Sequence, residues 1–316
     1  MRTKWKTLVA FGIIYCVWGS TYFAIRVGVA QIPPLLMAAL RFAVAGLALS
    51  AWGLARGERL PSRRQWAAVV LLAFLIFVVD YGFLFWAEQR VPSGMAAVIL
   101  ATIPAFIAIS EILWLRTQRL TPRLGAALLT GLAGVVVLVD PAVGLGGAPV
   151  YLLGAIGLVV GAASWSTASV LTRLLPVPAS KVMSAGTQML TGGVLLGLAG
   201  GVFGEAGRFH PEAVSAGAWL ALLYLIVAGS IMGFTAYLWL IHHESPTKVG
   251  TYAYVNPVIA VAIGYFLGGE ALDGRTVLGT VLVIVSVLVI RTGKTINARG
   301  GAGPAPSLGG GRPGSR

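Results

Sequence analysis

The sequence predicts an all-α polytopic membrane protein: ten transmembrane helices arranged as two inverted five-helix repeats. Three observations predict it. The chain of 316 residues is 57% hydrophobic and only 10% charged, with a mean hydropathy of +0.87, whereas soluble proteins carry about 25% charged residues. Its apolar residues fall into ten runs joined by short connections. One long stretch also occurs twice, as PSGMAAVILATIPAFIAISEILWLRTQRL over 92–120 and as PTKVGTYAYVNPVIAVAIGYFLGGEAL over 246–272.

Both copies open on a proline, carry an internal proline and close on leucine. Pro92 and Pro246 stand 154 apart, Pro104 and Pro257 stand 153 apart, and Leu120 and Leu272 stand 152 apart. Their flanks differ: Arg116, Arg119 and Arg123 follow the first with no acid, while Glu270, Asp273 and Arg275 follow the second. Cationic loops stay in the cytoplasm, so the two copies face opposite sides of a membrane. The repeat extends upstream, where Trp18 and Trp165, Arg26 and Arg173, and Arg41 and Gln188 are each 147 apart. The units are therefore 7–140 and 150–291. A unit of five spans is odd, so its duplicate enters the membrane the other way round, as in many secondary transporters with a site near the midplane.

A helix needs about 20 apolar residues to cross a bilayer. The runs that meet this are 7–27, 34–54, 65–87, 92–115, 121–139, 150–172, 181–203, 214–241, 246–267 and 274–291. The first has a basic start, as a signal peptide does, but Trp18, Tyr22 and Arg26 interrupt it and no small-residue cleavage site follows, so it reads as a retained helix. The tail 292–316 is rich in Gly and Pro and reads as disordered and cytoplasmic. With this division, 18 of the 23 Lys and Arg residues fall on one side, together with both termini, which places the termini in the cytoplasm of a protein of the cell membrane. The 42 glycines suit helices packed closely in lipid.

Several function classes are excluded. A net charge of +13 suggests nucleic acid, but the charge sits in short loops and tails that orient spans, so the expected partners are the lipid bilayer and a small-molecule substrate. Cys16 is alone, so no intrachain disulfide forms. No GxxxxGK[ST] loop is present, and transport would run on a gradient without a cofactor. His242, His243 and Glu244 are adjacent and point apart on a helix, which argues against a metal site. Asp80 is the only Asp within a span, and no second group suits an intramembrane enzyme. A passive channel and a multidrug exporter stay open as alternatives, and the chain is expected as a monomer or weak homodimer.

The motifs WGSTYFAIRVG (18–28), PPLLMAALRF (33–42), the internal proline of each repeat and GGEAL (268–272) resemble the EamA group of the drug/metabolite transporter superfamily. The resemblance covers roughly 10–290. It implies a ten-helix bundle around a central cavity, exporting metabolites or amino acids by alternating access. One position departs from it: where the second repeat has Glu270, the first has Gln118.

Ionisable groups inside a membrane are costly and functional. Arg41 lies about 10 Å and Asp80 about 12 Å from the outer ends of their helices at 1.5 Å per residue. Matching depth on neighbouring helices predicts that they pair or share a cavity, as an ion pair locking two helices or as a substrate site. Trp18, Tyr22 and Arg26 share one helix face at i, i+4, i+8 spacing, and Trp165 and Arg173 repeat that face. Tyr252 and Asn256 share a face beside Pro257. With Tyr81 and Gln188, these polar and aromatic residues make up the expected substrate site: Trp18, Tyr22, Arg41, Asp80, Tyr81, Trp165, Gln188, Tyr252 and Asn256. Glu111 is expected to reach Arg116, and Arg26 and Arg173 to snorkel towards the interface. Pro104 and Pro257 each lack an N–H and clash one turn back, which predicts paired hinges or a statically shaped cavity.

Overall fold

The computed structural model describes residues 2–116, 120–139, 148–243 and 252–292. Among them, all regular structure is helical: α1 (Arg2–Val29), α2 (Pro34–Ala55), α3 (Arg63–Ala87), α4 (Ser93–Leu115), α5 (Pro122–Val139), α6 (Ala148–Leu171), α7 (Lys181–Val202), α8 (216–243), α9 (Tyr252–Gly268) and α10 (Gly274–Thr292). Seven are long and apolar enough to cross a membrane, and the apolar parts of α5, α9 and α10 are shorter. Gln118, Glu244, the opening residues 246–251 of the second copy and the tail from 293 lie outside the described residues.

Local chemistry fixes several starts. Ser62 accepts from the Gln65 N–H while Gln65 Oε1 accepts from the Ser62 N–H, a capping box that opens α3. Ser180 and Ser215 likewise accept from the amides of Met183 and Ala218, so α8 begins after Ser215 rather than at 214. α2 begins on Pro34, whose missing N–H costs nothing in a first turn. Outward faces carry leucines such as Leu129, Leu198 and Leu220, as a lipid-facing surface requires.

The core of the bundle is the contact between α2 and α7, and it is reciprocal. A Cβ on Gly46 would come within 2.2 Å of the Leu190 backbone nitrogen, and one on Gly193 within 2.4 Å of the Ala43 nitrogen. Residues 43 and 190, like 46 and 193, are 147 apart, so each helix offers the other the same pair of positions. The next contacts outward repeat this: Gly186 lies against Ser50, and Gly197 against Ala39. As the number rises along α2 it falls along α7, so the two helices run antiparallel. α5 and α10 pack in the same manner, Gly131 against Ser286 and Gly134 against Val283, positions related by 152. Small residues let each pair of backbones approach.

The turns that follow α2 and α7 correspond as well. Gly57 and Gly204 both take positive φ, +79° and +70°, a conformation that costs a residue with a Cβ. Glu58 and Glu205 come next. Glu58 Oε2 accepts from the Ser180 hydroxyl at the start of α7, while Glu205 Oε2 accepts from the Leu36 N–H at the start of α2 (2.8 Å). Each helix end thus caps the start of its counterpart.

α3 and α8 each contain an eight-residue π-helical segment, Phe74–Tyr81 and Leu225–Met232, at corresponding places 151 apart. The wider turn re-aims side chains and is frequent at functional sites. α4 is interrupted at Ala101–Thr102. There the amides of Ala101, Thr102 and Ala105 bond three residues back, to Val98, Ile99 and Thr102, so the helix tightens around Pro104, which has no N–H to continue the ladder. α9 keeps helical geometry through Pro257. The two prolines therefore act differently on their helices.

Candidate functional site

Arg41, on α2 behind the first π-helical segment, is 3% exposed. Its Nε–H donates to Ser230 Oγ at 3.0 Å. Its guanidinium lies over the rings of Phe42, Tyr81 and Phe85, with Cζ 4.8, 5.3 and 5.9 Å from their centroids. The phenols of Tyr81, Tyr22 and Tyr224 are within electrostatic reach. Aromatic faces and a hydroxyl suit a cation, but Nη1 has no hydrogen-bond partner. A buried donor without a partner costs about 1–3 kcal/mol, more when charged. The two residues that flank the guanidinium, Tyr81 and Ser230, come one from each π-helical segment.

Around this cation the structure gathers most of the expected site. Tyr81 meets Trp165 edge-on at 6.0 Å. On the other side Trp18 donates its indole N–H to the Gly229 carbonyl (3.0 Å), beside Ser230, and meets Tyr252 at 5.3 Å and Tyr237 at 5.5 Å. The two tryptophans at corresponding positions thus approach the surroundings of Arg41 through different neighbours, Trp165 through Tyr81 and Trp18 through Gly229. Tyr22 is within electrostatic reach of Tyr81, Asp80, Glu88 and Tyr252. Asn256 is buried, its Oδ1 without a partner, and its backbone carbonyl packs against Gly19 of α1. Gln188 stays apart: its amide donates to Ser184 on its own helix. A groove of about 630 Å³ between the starts of α2 and the ends of α3 and α7, lined by Gln31, Phe83, Trp86, Arg90 and Phe203 among others, includes none of the expected site residues.

The expected ion pair between Arg41 and Asp80 is not formed. Arg41 turns to Ser230 instead, and Asp80, 4% exposed, packs its carboxylate against Gly161 with Oδ1 unpartnered. An expected depth does not fix azimuth: within the π-helical segment it is Tyr81, not Asp80, that meets Arg41.

Two other expectations are corrected at the bundle ends. Arg26 does not merely snorkel. It lies 3.4 Å from Glu270 Oε1, and the same carboxylate accepts from Ser93 N (2.8 Å), Ser93 Oγ (2.6 Å) and Gly94 N (3.0 Å) at the start of α4. Carboxylates belong at helix N-termini, where amides and dipole favour them. Glu111 meets Arg173 at 3.1 Å, not Arg116. Ser93 and Glu111 sit 18 residues apart on α4, about 27 Å along a helix, so the pairs occupy opposite ends of the bundle. Arg26 and Arg173 are themselves 147 apart, and each pairs with an acid from the other half of the chain.

Sequence reasoning missed Ser230, Tyr224, Glu88 and the turns at Glu58 and Glu205. Only the last left a signal: GLARGE at 53–58 and GGVFGE at 200–205 share glycine, glycine and glutamate at one spacing.

Comparison with known proteins adds the family. The EamA-like transporter family matches residues 6–140 and again 152–292. The inner membrane transporter YedA of Escherichia coli K12 is 39% identical over 283 residues, 89% of either chain. The transporter YvbV of Bacillus subtilis is 25% identical over 92% of either chain. A solved crystal structure superposes with a TM-score of 0.61 at 26% identity, covering 90% of this chain and 96% of its own. A multi-pass bundle, a buried cation among aromatic rings and two matches along one sequence lead to one conclusion: the chain belongs to the EamA-like transporter family.

Proposed function

We propose that this protein is a secondary active transporter that exports small organic metabolites, amino acids or related compounds, by alternating access. In this reading all ten helices cross the membrane as two inverted repeats, 7–140 and 150–291, with both termini and the tail 292–316 cytoplasmic. The antiparallel, reciprocal contacts of α2 with α7 and of α5 with α10 support the inversion. The Lys and Arg distribution supports the orientation, which puts the Arg26–Glu270 pair at the outer face and Arg173–Glu111 at the inner.

One observation carries the reading: a buried guanidinium with an open donor lies among aromatic rings, beside Tyr81 and Ser230 of the two π-helical segments. The ion pairs that join the two halves at each end support it. A carboxylate on the substrate would satisfy Arg41, aromatic faces would hold its apolar part, and Trp18, Tyr22, Asp80, Tyr81, Trp165, Tyr252 and Asn256 would line the site. Gln188 would join if α7 moves.

The test is direct. Purified protein is screened by thermal shift against amino acids and related carboxylates, and each stabilising compound is taken into proteoliposomes for counterflow. Saturable, trans-stimulated uptake that Arg41→Ala abolishes is expected. Uptake linear in concentration and insensitive to trans substrate would mean a passive channel.

A further inference from the structure

We propose that Glu88 is the proton-binding carboxyl of this transporter, and that its loss of a proton opens the Arg26–Glu270 closure. The inference rests on the alternating-access reading above. Glu88 follows the last turn of α3 and is 1% exposed, and neither carboxylate oxygen has a hydrogen-bond partner. No other buried side chain among the described residues leaves two oxygens unpartnered.

Its neighbours decide what it can do. The charged and titratable groups within electrostatic reach of it are Arg26 and Tyr22 from α1 and Glu270 from the turn after α9. α6, which packs on Ala87 and Val91 through Gly154, has no charged residue between Ala148 and Leu171. Arg41 of α2 lies over the rings of Tyr81 and Phe85 instead. One cation is therefore within reach of two carboxyls. Glu270 holds it, supported by three hydrogen bonds from the start of α4. A second carboxylate in the same dry place would be an uncompensated buried charge, so Glu88 carries a proton while the closure is made.

Proton release reverses this. The O–H bond of Glu88 breaks, the proton passes to the outer aqueous phase, and the new carboxylate competes with Glu270 for Arg26. Glu270 then loses the cation that ties α1 to the turn between α9 and α10, and water reaches the first turn of α4. Protonation from outside restores the closure. At the other end the Arg173–Glu111 pair, with Arg173 65% exposed, has Tyr237 within electrostatic reach rather than a second buried carboxyl with both oxygens unpartnered among the described residues, so the proton is assigned to the Arg26–Glu270 face.

The experiment uses the full chain carrying Cys16→Ala and Met95→Cys, since Met95 is buried in the first turn of α4. It is reconstituted in right-side-out vesicles and labelled with an impermeant maleimide across a pH series. Infrared difference spectra follow the protonated carboxyl. Labelling is expected to rise about tenfold with pH, the change that a one-unit difference in proton affinity between the two states produces. The infrared band of Glu88 should fall with the same midpoint. Glu88→Gln should remove that band and hold labelling low at every pH, and Glu270→Gln should hold it high. Unaltered pH dependence in Glu88→Gln, or no protonated-carboxyl band lost with that variant, would overturn the proposal. If Glu88→Gln does not assemble, Glu88→Asp replaces it. A displaced midpoint is then expected, and an unmoved one overturns the assignment. No substrate enters these measurements, so absent counterflow would sink the transport reading and leave this result standing.

Discussion

At the scale of single residues, Arg41 concentrates the chemistry. Its planar fork serves Ser230 through Nε, lies over three rings and still has Nη1 free. Lysine cannot reproduce this, because an ammonium has neither the fork nor the flat face. Arg41→Lys should therefore abolish counterflow while the protein still assembles, and Arg41→Ala should weaken substrate binding by about 2–5 kcal/mol, the cost of truncating a buried charged contact. Binding by isothermal calorimetry separates this from loss of fold. A second residue makes a pH prediction outside the membrane. Asp273 Oδ1 accepts from the Thr276 N–H at 2.8 Å as the N-cap of α10, and that hydrogen bond holds its carboxyl below the usual carboxylate range. A lowered folded value means the stabilisation is present above the unfolded value, about 3.9, and is lost as pH falls through the folded one. Asp273→Ala should cost about 1 kcal/mol of thermal stability at neutral pH, and Asp273→Asn should keep the cap but lose the acid dependence. Residue types were readable in the sequence; azimuths were not. Matching depth along the helices was the expectation for Arg41 and Asp80, but the π-helical turn over Phe74–Tyr81 packs against α6 and α7, and apolar periodicity does not report it.

At the scale of elements, close approach at glycine holds the counterpart helices together. Gly193 and Gly201 lie on the same helix, α7, and make a controlled pair. A Cβ on Gly193 would collide with the Ala43 backbone, whereas one on Gly201 meets nothing within 4 Å. Gly193→Ala should destabilise by about 1–3 kcal/mol, as overpacking does. Gly201→Ala should be neutral or stabilising by up to about 1 kcal/mol through helix propensity. Thermal unfolding in detergent measures both, and equal effects would remove the α2–α7 contact from its place in the fold. Much at this scale was legible. Runs of bilayer length located most of the described helices to within a few residues, and Trp18/Trp165 and Arg26/Arg173 set the spacing of 147 that the α2–α7 contacts share. What escaped was partnership across the halves. Arg26 and Glu270 are 244 residues apart, and an arginine at a helix end reads as a snorkel until its acid is brought to it. Pro104 and Pro257 looked alike because proline removes the same hydrogen bond everywhere. α4 answers with a tightened turn at 101–102, and α9 stays helical through Pro257.

At the scale of the whole molecule, the two ion pairs are unequal closures. Arg26 and Glu270 are 38% and 8% exposed, with four polar partners on Glu270, whereas Arg173 and Glu111 are 65% and 15% exposed. Exposed pairs contribute about 0.2–1 kcal/mol, so under the alternating-access proposal the Arg173–Glu111 end is expected to open the more readily. If the prolines are paired hinges, Pro104→Ala and Pro257→Ala should bind substrate with altered affinity, transport slowly and bias accessibility in opposite directions. Normal transport in both, or a shift the same way, would leave them as static features. The central claim is that closures at opposite ends alternate around Arg41. Thiol accessibility in vesicles, on a Cys16→Ala background, tests it most directly, with Met95→Cys reporting one end of α4 and Ala108→Cys the other; both positions are buried. Glu270→Gln should expose Met95→Cys and shield Ala108→Cys, and Glu111→Gln should do the reverse. Two variants that shift both reporters in the same direction, or neither reporter at all, would contradict alternation.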